Sequence, residues 1–126
     1  MTEIDPEALA ALAADLGEEA AAVFARRCAE QLVPRAARLV AAVAESDAAA
    51  AHVAALSLHS SAAMVGATAL ADLLHRLVPG LRAGHLTMAR RVLPTVVALA
   101  ACAAQELREL LSPPVAGGSP RPGPSR

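Results

Sequence analysis

The side chains best suited to chemistry lie in residues 48–71, which contain two of the four histidines in the chain. His52 and His59 are seven residues apart, so a helix would place them on one face, two turns apart. A neutral imidazole is a competent nucleophile near pH 7, so either histidine could act as a nucleophile. Midway between them is Leu56, which has no nucleophilic atom.

Other kinds of chemistry find little support in the sequence. Residues 48–71 contain no Asp or Glu, so two histidines there lack the further ligands that a metal ion needs. Neither His75 nor His85 suggests a role. Cys28 and Cys102 lie far apart in apolar surroundings, which is typical of buried free thiols. No phosphate-binding loop, nucleophile–base pair or cofactor motif is present, so we expect neither a cofactor nor an independent enzyme activity.

Composition indicates one helical domain. The chain has 126 residues, of which 56% are hydrophobic, and Phe24 is its one aromatic residue. Alanine, the strongest helix former, is abundant, whereas the aromatic and β-branched residues favoured in strands are few. A net charge of −1 and the lack of aromatic stacking platforms argue against a nucleic-acid partner.

No membrane segment is expected either. Residues 48–71 are long enough to span a bilayer, but they are mostly alanine with several hydroxyl groups and two histidines. Residues 1–5 are acidic and lack the basic region and apolar core of a signal peptide.

Hydrophobic periodicity predicts five helices. A short first helix begins at Pro6 after the capping residue Asp5, and it ends near Asp15 before Gly17. Four longer helices are predicted at about residues 18–45, 47–64, 67–82 and 88–111.

Local signals refine these boundaries. Either Ser46 or Asp47 can cap the third helix, and Thr87 can cap the fifth. Pro34 and Pro94 predict kinks within the second and fifth helices. Pro79 and Gly80 (residues 79–80) predict a frayed last turn in the fourth.

Four long amphipathic helices with short connections predict an all-α fold, an antiparallel up-down four-helix bundle with the short first helix covering one end. Residues 1–111 would form this domain. Residues 112–126 are rich in Pro, Gly, Ser and Arg, and we expect them to form a disordered tail.

The helical period also predicts which residues face the core. In the third helix the inward stripe is Ala51, Ala55, Leu58, Ala62 and Val65. The inward stripe of the second helix is Val23 or Phe24, then Cys28, Leu32, Leu39 and Val43. That of the fourth helix is Leu70, Leu73, Leu74, Leu77 and Leu81. That of the fifth helix is Leu93, Val97, Ala100, Ala104, Leu107 and Leu111.

On the same helical wheel, Leu56 lies about 140° from the stripe of the third helix and should face outward. The residues that share its side of the wheel are His52, His59 and Ala63.

The third helix resembles the signature of histidine-containing phosphotransfer (HPt) domains, which reads approximately Ala-His-x-Leu-Lys-Gly-Ser-Ser/Ala-x-x-x-Gly-Ala. The residues in register are Ala55, Leu58, Ser61, Ala62, Gly66 and Ala67. Leu56 occupies the position of the phospho-accepting histidine. The likeness extends over about residues 4–111, and it includes Phe24, Leu32 and Pro34 of the second helix.

In this family the exposed histidine accepts phosphate from a receiver-domain aspartate, assisted by a lysine three positions later and a glycine four positions later. Those two positions hold His59 and Ser60. The resemblance therefore implies a non-catalytic HPt-like protein of the bacterial cytoplasm. It would bind the receiver domain of a response regulator or hybrid histidine kinase without accepting phosphate. The expected receiver-binding residues are His52, Leu56, His59, Ser60 and Ala63.

Two alternatives stay open. The chain could be an active phosphotransfer protein that uses His59 or His52, although each is displaced from the acceptor position and phosphoryl transfer requires in-line placement. It could instead be a structural bundle that self-associates through Leu56 and resembles the family by convergence. We expect a monomer, with a homodimer as the alternative.

Overall fold

The computed structural model describes residues 4–111. This range contains the helices α1 (Pro6–Leu16), α2 (Glu18–Ala44), α3 (Ala48–Met64), α4 (Thr68–Arg82) and α5 (Thr87–Leu111). The prediction of an all-α fold is confirmed. The tail predicted at residues 112–126 lies outside the described residues.

The four long helices form a ring in which each contacts two others. Helix α2 packs against α3 and α5, and α4 packs against the same two helices from the opposite side. Helices α3 and α5 do not contact each other, so they are diagonal in the bundle. The connections at residues 45–47, 65–67 and 83–86 are short, which makes consecutive helices antiparallel. Helix α1 packs against α2 and α3.

Side-chain caps fix the start of two helices. Asp5 accepts a hydrogen bond from the backbone N–H of Glu7 at 2.9 Å, and Asp47 accepts one from Ala50 at 3.0 Å. Asp47 is therefore the cap of α3, and Ser46 instead adopts a positive φ of 56° in the preceding turn. Each aspartate satisfies an N–H group that the helix itself leaves without a partner.

One predicted helix cap is wrong. Thr87 lies inside α5 rather than capping it, because the carbonyl of Leu86 already accepts from the Arg90 N–H at 2.9 Å. Helix α4 ends at Arg82, as predicted, and it continues through Pro79; the fraying of its last turn stays a prediction. Helices α2 and α5 likewise continue through their prolines, and the kinks stay predictions.

The predicted core is confirmed in α3 and α4, where every stripe residue is buried. In α2 the prediction is confirmed for Leu32, Leu39 and Val43 and is wrong at the start of the helix. There Val23 is exposed, and Phe24 and Cys28 are only half-buried. The buried positions of α2 are Ala21, Ala25, Ala29, Leu32, Ala36, Leu39, Ala42 and Val43. Five of these eight buried residues are alanine, whose small side chain lets neighbouring helices pack closely.

A similar shift occurs in α5. Val96 is fully buried and Val97 is 43% exposed, the reverse of the prediction. Among the described helices, α5 alone is long and apolar enough to cross a membrane by length and composition. Val96, Ala100 and Leu107 of this helix are buried in the bundle core, and one such helix is weak evidence for a membrane span.

The segment before α1 is held against the turn between α3 and α4. Ile4 is buried and forms a bridge with Ala67, and the Asp5 N–H donates to the Gly66 carbonyl at 2.8 Å. Gly66 has a φ of +78°, and a Cβ there would lie 2.7 Å from the Asp5 carbonyl oxygen. The absence of a side chain at Gly66 is therefore required both by the backbone conformation and by this contact.

We expect Gly66→Ala to lower the free energy of unfolding more than Gly84→Ala does. Both glycines have positive φ, which costs a residue with a Cβ about 1–2 kcal/mol. A Cβ at Gly84 would meet nothing within 4 Å, whereas at Gly66 it would also clash with the N-terminal segment, adding about 1–3 kcal/mol. Urea unfolding followed by circular dichroism measures both variants. Equal losses of unfolding free energy in the two variants would show that the close contact at Gly66 does not contribute to stability.

Candidate functional site

The outer side of α3 is unusual because it carries no charge. Residues 48–64 contain no Asp, Glu, Lys or Arg, although the helix lies at the surface on the side away from α5. Leu56 is 41% exposed at the middle of this side, which confirms its predicted outward orientation. Helices of water-soluble proteins usually place charged residues on their solvent side. An uncharged outer side with a leucine at its centre is therefore a candidate contact surface.

Two further apolar residues extend this surface, and neither was singled out from the sequence. Val53 is 65% exposed and Met64 is 44% exposed. Ser60 and Ala63, two of the predicted site residues, are also exposed. We call Val53, Leu56, Ser60, Ala63 and Met64 the α3 face. The helical wheel that placed Leu56 outward could have identified the two additional residues.

The two histidines lie at the edge of the α3 face rather than at its centre. Both His52 and His59 are half-buried. The ring of His59 lies beside the ring of His75 on α4, with 6.0 Å between ring centroids and 36° between ring planes. The Nε2 atom of His52 is buried and has no hydrogen-bond partner in the described part of the chain. The structure thus brings His75 to the predicted site, and it makes both predicted histidines less accessible than Leu56.

The opposite edge of the α3 face is held to α2 by Arg35. The Arg35 Nη1 donates to the Ser57 carbonyl at 3.2 Å and to the Ser61 hydroxyl. Ser61 is 4% exposed, so this contact satisfies a buried hydroxyl group. The Nε of Arg35 is also buried, and it has no partner within residues 4–111. Arg35 is therefore a polar crosslink between two helices whose other contacts are mostly apolar.

A groove between α2 and α3 contains one cavity on either side of Arg35. The first, of about 420 Å³, is lined by Arg35, Arg38, Ala42, Ala50, Val53, Ala54 and Ser57. The second, of about 350 Å³, is lined by Phe24, Arg27, Cys28, Gln31, Arg35, Ser60, Ser61 and Met64. Three arginines and no carboxylate line the two cavities among the described residues.

The cysteines are both free, but neither is fully buried as predicted. Cys102 is exposed, and Cys28 is half-buried beside the second cavity. Burial raises the pKa of the Cys28 thiol above its usual value, and the positive charge of Arg35 partly offsets that rise. Within residues 4–111, no group of three His, Cys, Asp or Glu side chains is placed to hold a metal ion.

Comparison with solved structures identifies the class of fold. A bundle of four antiparallel helices preceded by a short helix is an architecture that this chain shares with a solved histidine-containing phosphotransfer protein. The structure is similar to that of the histidine-containing phosphotransfer protein B (HptB) of Pseudomonas aeruginosa PAO1, with a TM-score of 0.78 and 23% sequence identity. The match covers 86% of this chain and 94% of that one. No family model and no curated protein sequence matches the chain.

We expect the Arg35–Ser61 hydrogen bond to contribute about 1.5 kcal/mol to stability, because one partner is charged and the other is buried. Arg35→Met and Ser61→Ala should each lower the free energy of unfolding, and the double variant should lose less than the sum of the two. Urea unfolding of all four proteins measures this coupling.

Arg38→Met is the matched control, because Arg38 lines the same groove without a hydrogen bond to another described residue. Its effect should stay within about 0.5 kcal/mol. Strictly additive losses for Arg35→Met and Ser61→Ala would contradict the assigned role of Arg35.

Proposed function

We propose that this protein is a non-catalytic HPt-like component of a bacterial two-component system or phosphorelay. It binds a receiver domain and does not accept phosphate from it. The HPt-like fold and the signature-like sequence from Ala55 to Ala67 support the class of partner. Such a protein would act in the cytoplasm, where it could occupy a receiver and compete with true phosphotransfer proteins.

The observation that carries this proposal is the leucine at the acceptor position. Leu56 is exposed on the α3 face, and the resemblance to the HPt signature puts it at the position of the acceptor histidine. Its side chain has only carbon atoms and cannot form a bond to phosphorus. An exposed aliphatic side chain can still contribute to binding, because residues near the centre of an interface contribute most of its energy.

The neighbours of Leu56 would complete the receiver-binding surface. His52 and His59 border it on one side, and Ser60 and Ala63 lie within the α3 face. Ser60 and Ala63 have small side chains, so a partner can approach Leu56 without displacing bulky groups.

An active phosphotransfer protein is the second candidate, and the contact between His59 and His75 is the observation that favours it. A neighbouring imidazole could hold a phosphorylated His59 in position. The half-burial of His59 weighs against this function, because an incoming receiver aspartate needs in-line access to the ring nitrogen.

Self-association is the third candidate. Val53, Leu56 and Met64 form an exposed apolar surface that could pair with a second copy. Light scattering across a range of concentrations distinguishes this function from receiver binding: a dimer that binds no receiver would support self-association.

We expect Leu56→Asp to weaken receiver binding by at least about 30-fold, the effect of losing roughly 2 kcal/mol at the centre of an interface. Affinities are measured by calorimetry against purified receiver domains from the organism that encodes this chain. Val97→Asp is the matched control: Val97 is 43% exposed on α5, which is diagonal to α3. The control should bind as the wild type does. Unchanged affinity of a folded Leu56→Asp variant would refute the proposal.

We expect no phosphorylation of the wild-type protein by phosphorylated receivers, and we expect Leu56→His to gain it. The added imidazole would stand at the acceptor position of a surface that still docks the receiver. Radiolabel transfer followed by acid treatment reports phosphohistidine. Acid-labile label on the wild type that is lost in His59→Ala would instead establish active phosphotransfer through His59.

A further inference from the structure

The two cavities in the groove between α2 and α3 are separated by nearly the same distance as residues two turns apart on a helix. On α3, its first cavity is lined by residues from Ala50 to Ser57 and its second by residues from Ser60 to Met64. The midpoints of these two stretches are separated by eight or nine residues, which is about 12–13 Å at 1.5 Å per residue. Residues at positions i and i+7 or i+8 of a second helix are separated by nearly the same distance, about 10.5–12 Å. One apolar side chain of such a helix could enter each cavity.

The charge of the groove specifies the kind of helix. Arg38 is exposed at the first cavity and Arg27 is exposed at the second, with Arg35 between them. No described residue that lines either cavity has a carboxylate, and α3 contributes no charged side chain at all. The groove is therefore positive along its α2 side and apolar along its α3 side. A partner that covers it must bring carboxylates, because covering an unpaired arginine removes its hydration without compensation.

The positive charge beside α3 comes from another helix. His59 stands where the HPt signature has a lysine, so α3 has no cation of its own next to Leu56. The arginines of α2 lie on the neighbouring helix, and Arg35 is anchored to α3 through Ser57 and Ser61. Positive charge beside the α3 face thus comes from α2 instead.

We propose that the partner docks on this groove through an acidic amphipathic helix. Two apolar residues of that helix, seven or eight positions apart, occupy the cavities on either side of Arg35. Carboxylates on the same helix pair with Arg27 and Arg38. This inference rests on the proposed function and specifies the surface by which the receiver is recognised.

Charge reversal tests the inference. The probe is the receiver domain that binds the wild-type chain most tightly, and the variants are Arg27→Glu and Arg38→Glu. Each should weaken binding by at least about tenfold, and the loss should shrink at high salt because exposed charges are screened. Arg26→Glu is the matched control: Arg26 is an exposed arginine of the same helix that lines neither cavity. It should change affinity by less than about twofold, and circular dichroism should show all three variants folded.

Each outcome separates this inference from the proposed function. Loss of binding in Arg27→Glu and Arg38→Glu, with Arg26→Glu unaffected, supports a helix seated in the groove. Equal losses in all three variants would indicate general charge attraction and would overturn the groove as the docking site. Wild-type affinity in the two groove variants, together with lost binding in Leu56→Asp, would overturn the groove and leave receiver binding intact. A wild-type chain that binds no receiver would overturn both.

Discussion

Close packing of α3 through small side chains is the constraint on which the rest of the structure depends. Ala51, Ala55 and Ala62 are fully buried, so the neighbouring helices α2 and α4 approach α3 closely. Two larger residues, Leu58 of α3 and Val65 directly after it, are also fully buried, whereas Val53, Leu56 and Met64 lie outside. The helical period that turns the buried residues toward the core places these three apolar side chains on the outer surface.

Because α3 has no charged residue, polar side chains from neighbouring helices contact it. Arg35 reaches from α2 to the Ser57 carbonyl and the Ser61 hydroxyl. His75 comes from α4 to contact the ring of His59. The surface around Leu56 is therefore built from three helices, and its electrostatic character is set by residues distant in the sequence. Recognition that depends on both Leu56 and the arginines requires α2 and α3 to stay in register.

The turn between α3 and α4 contacts the N-terminal segment of the chain. Gly66 accepts the N-terminal segment at a distance that excludes a side chain, and Ile4 is buried beside it. This contact joins the start of the domain to the connection between α3 and α4. Helix α1 also packs against α2 and α3, so the N-terminal region contacts both helices that line the groove.

The sequence by itself determined the number of helices, their approximate limits, the core of α3 and α4, and the outward direction of Leu56. These follow from local signals, namely the helical period, capping aspartates and positions suited to glycine. Only the tertiary structure decided which residues are buried at the start of α2 and around Val96 in α5, since alanine is compatible with either side of a helix and gives a weak periodic signal. It also brought Arg35 to Ser57 and Ser61, brought His75 to His59, and formed the two cavities between α2 and α3. Those contacts depend on the rotation and separation of whole helices, which no local pattern specifies.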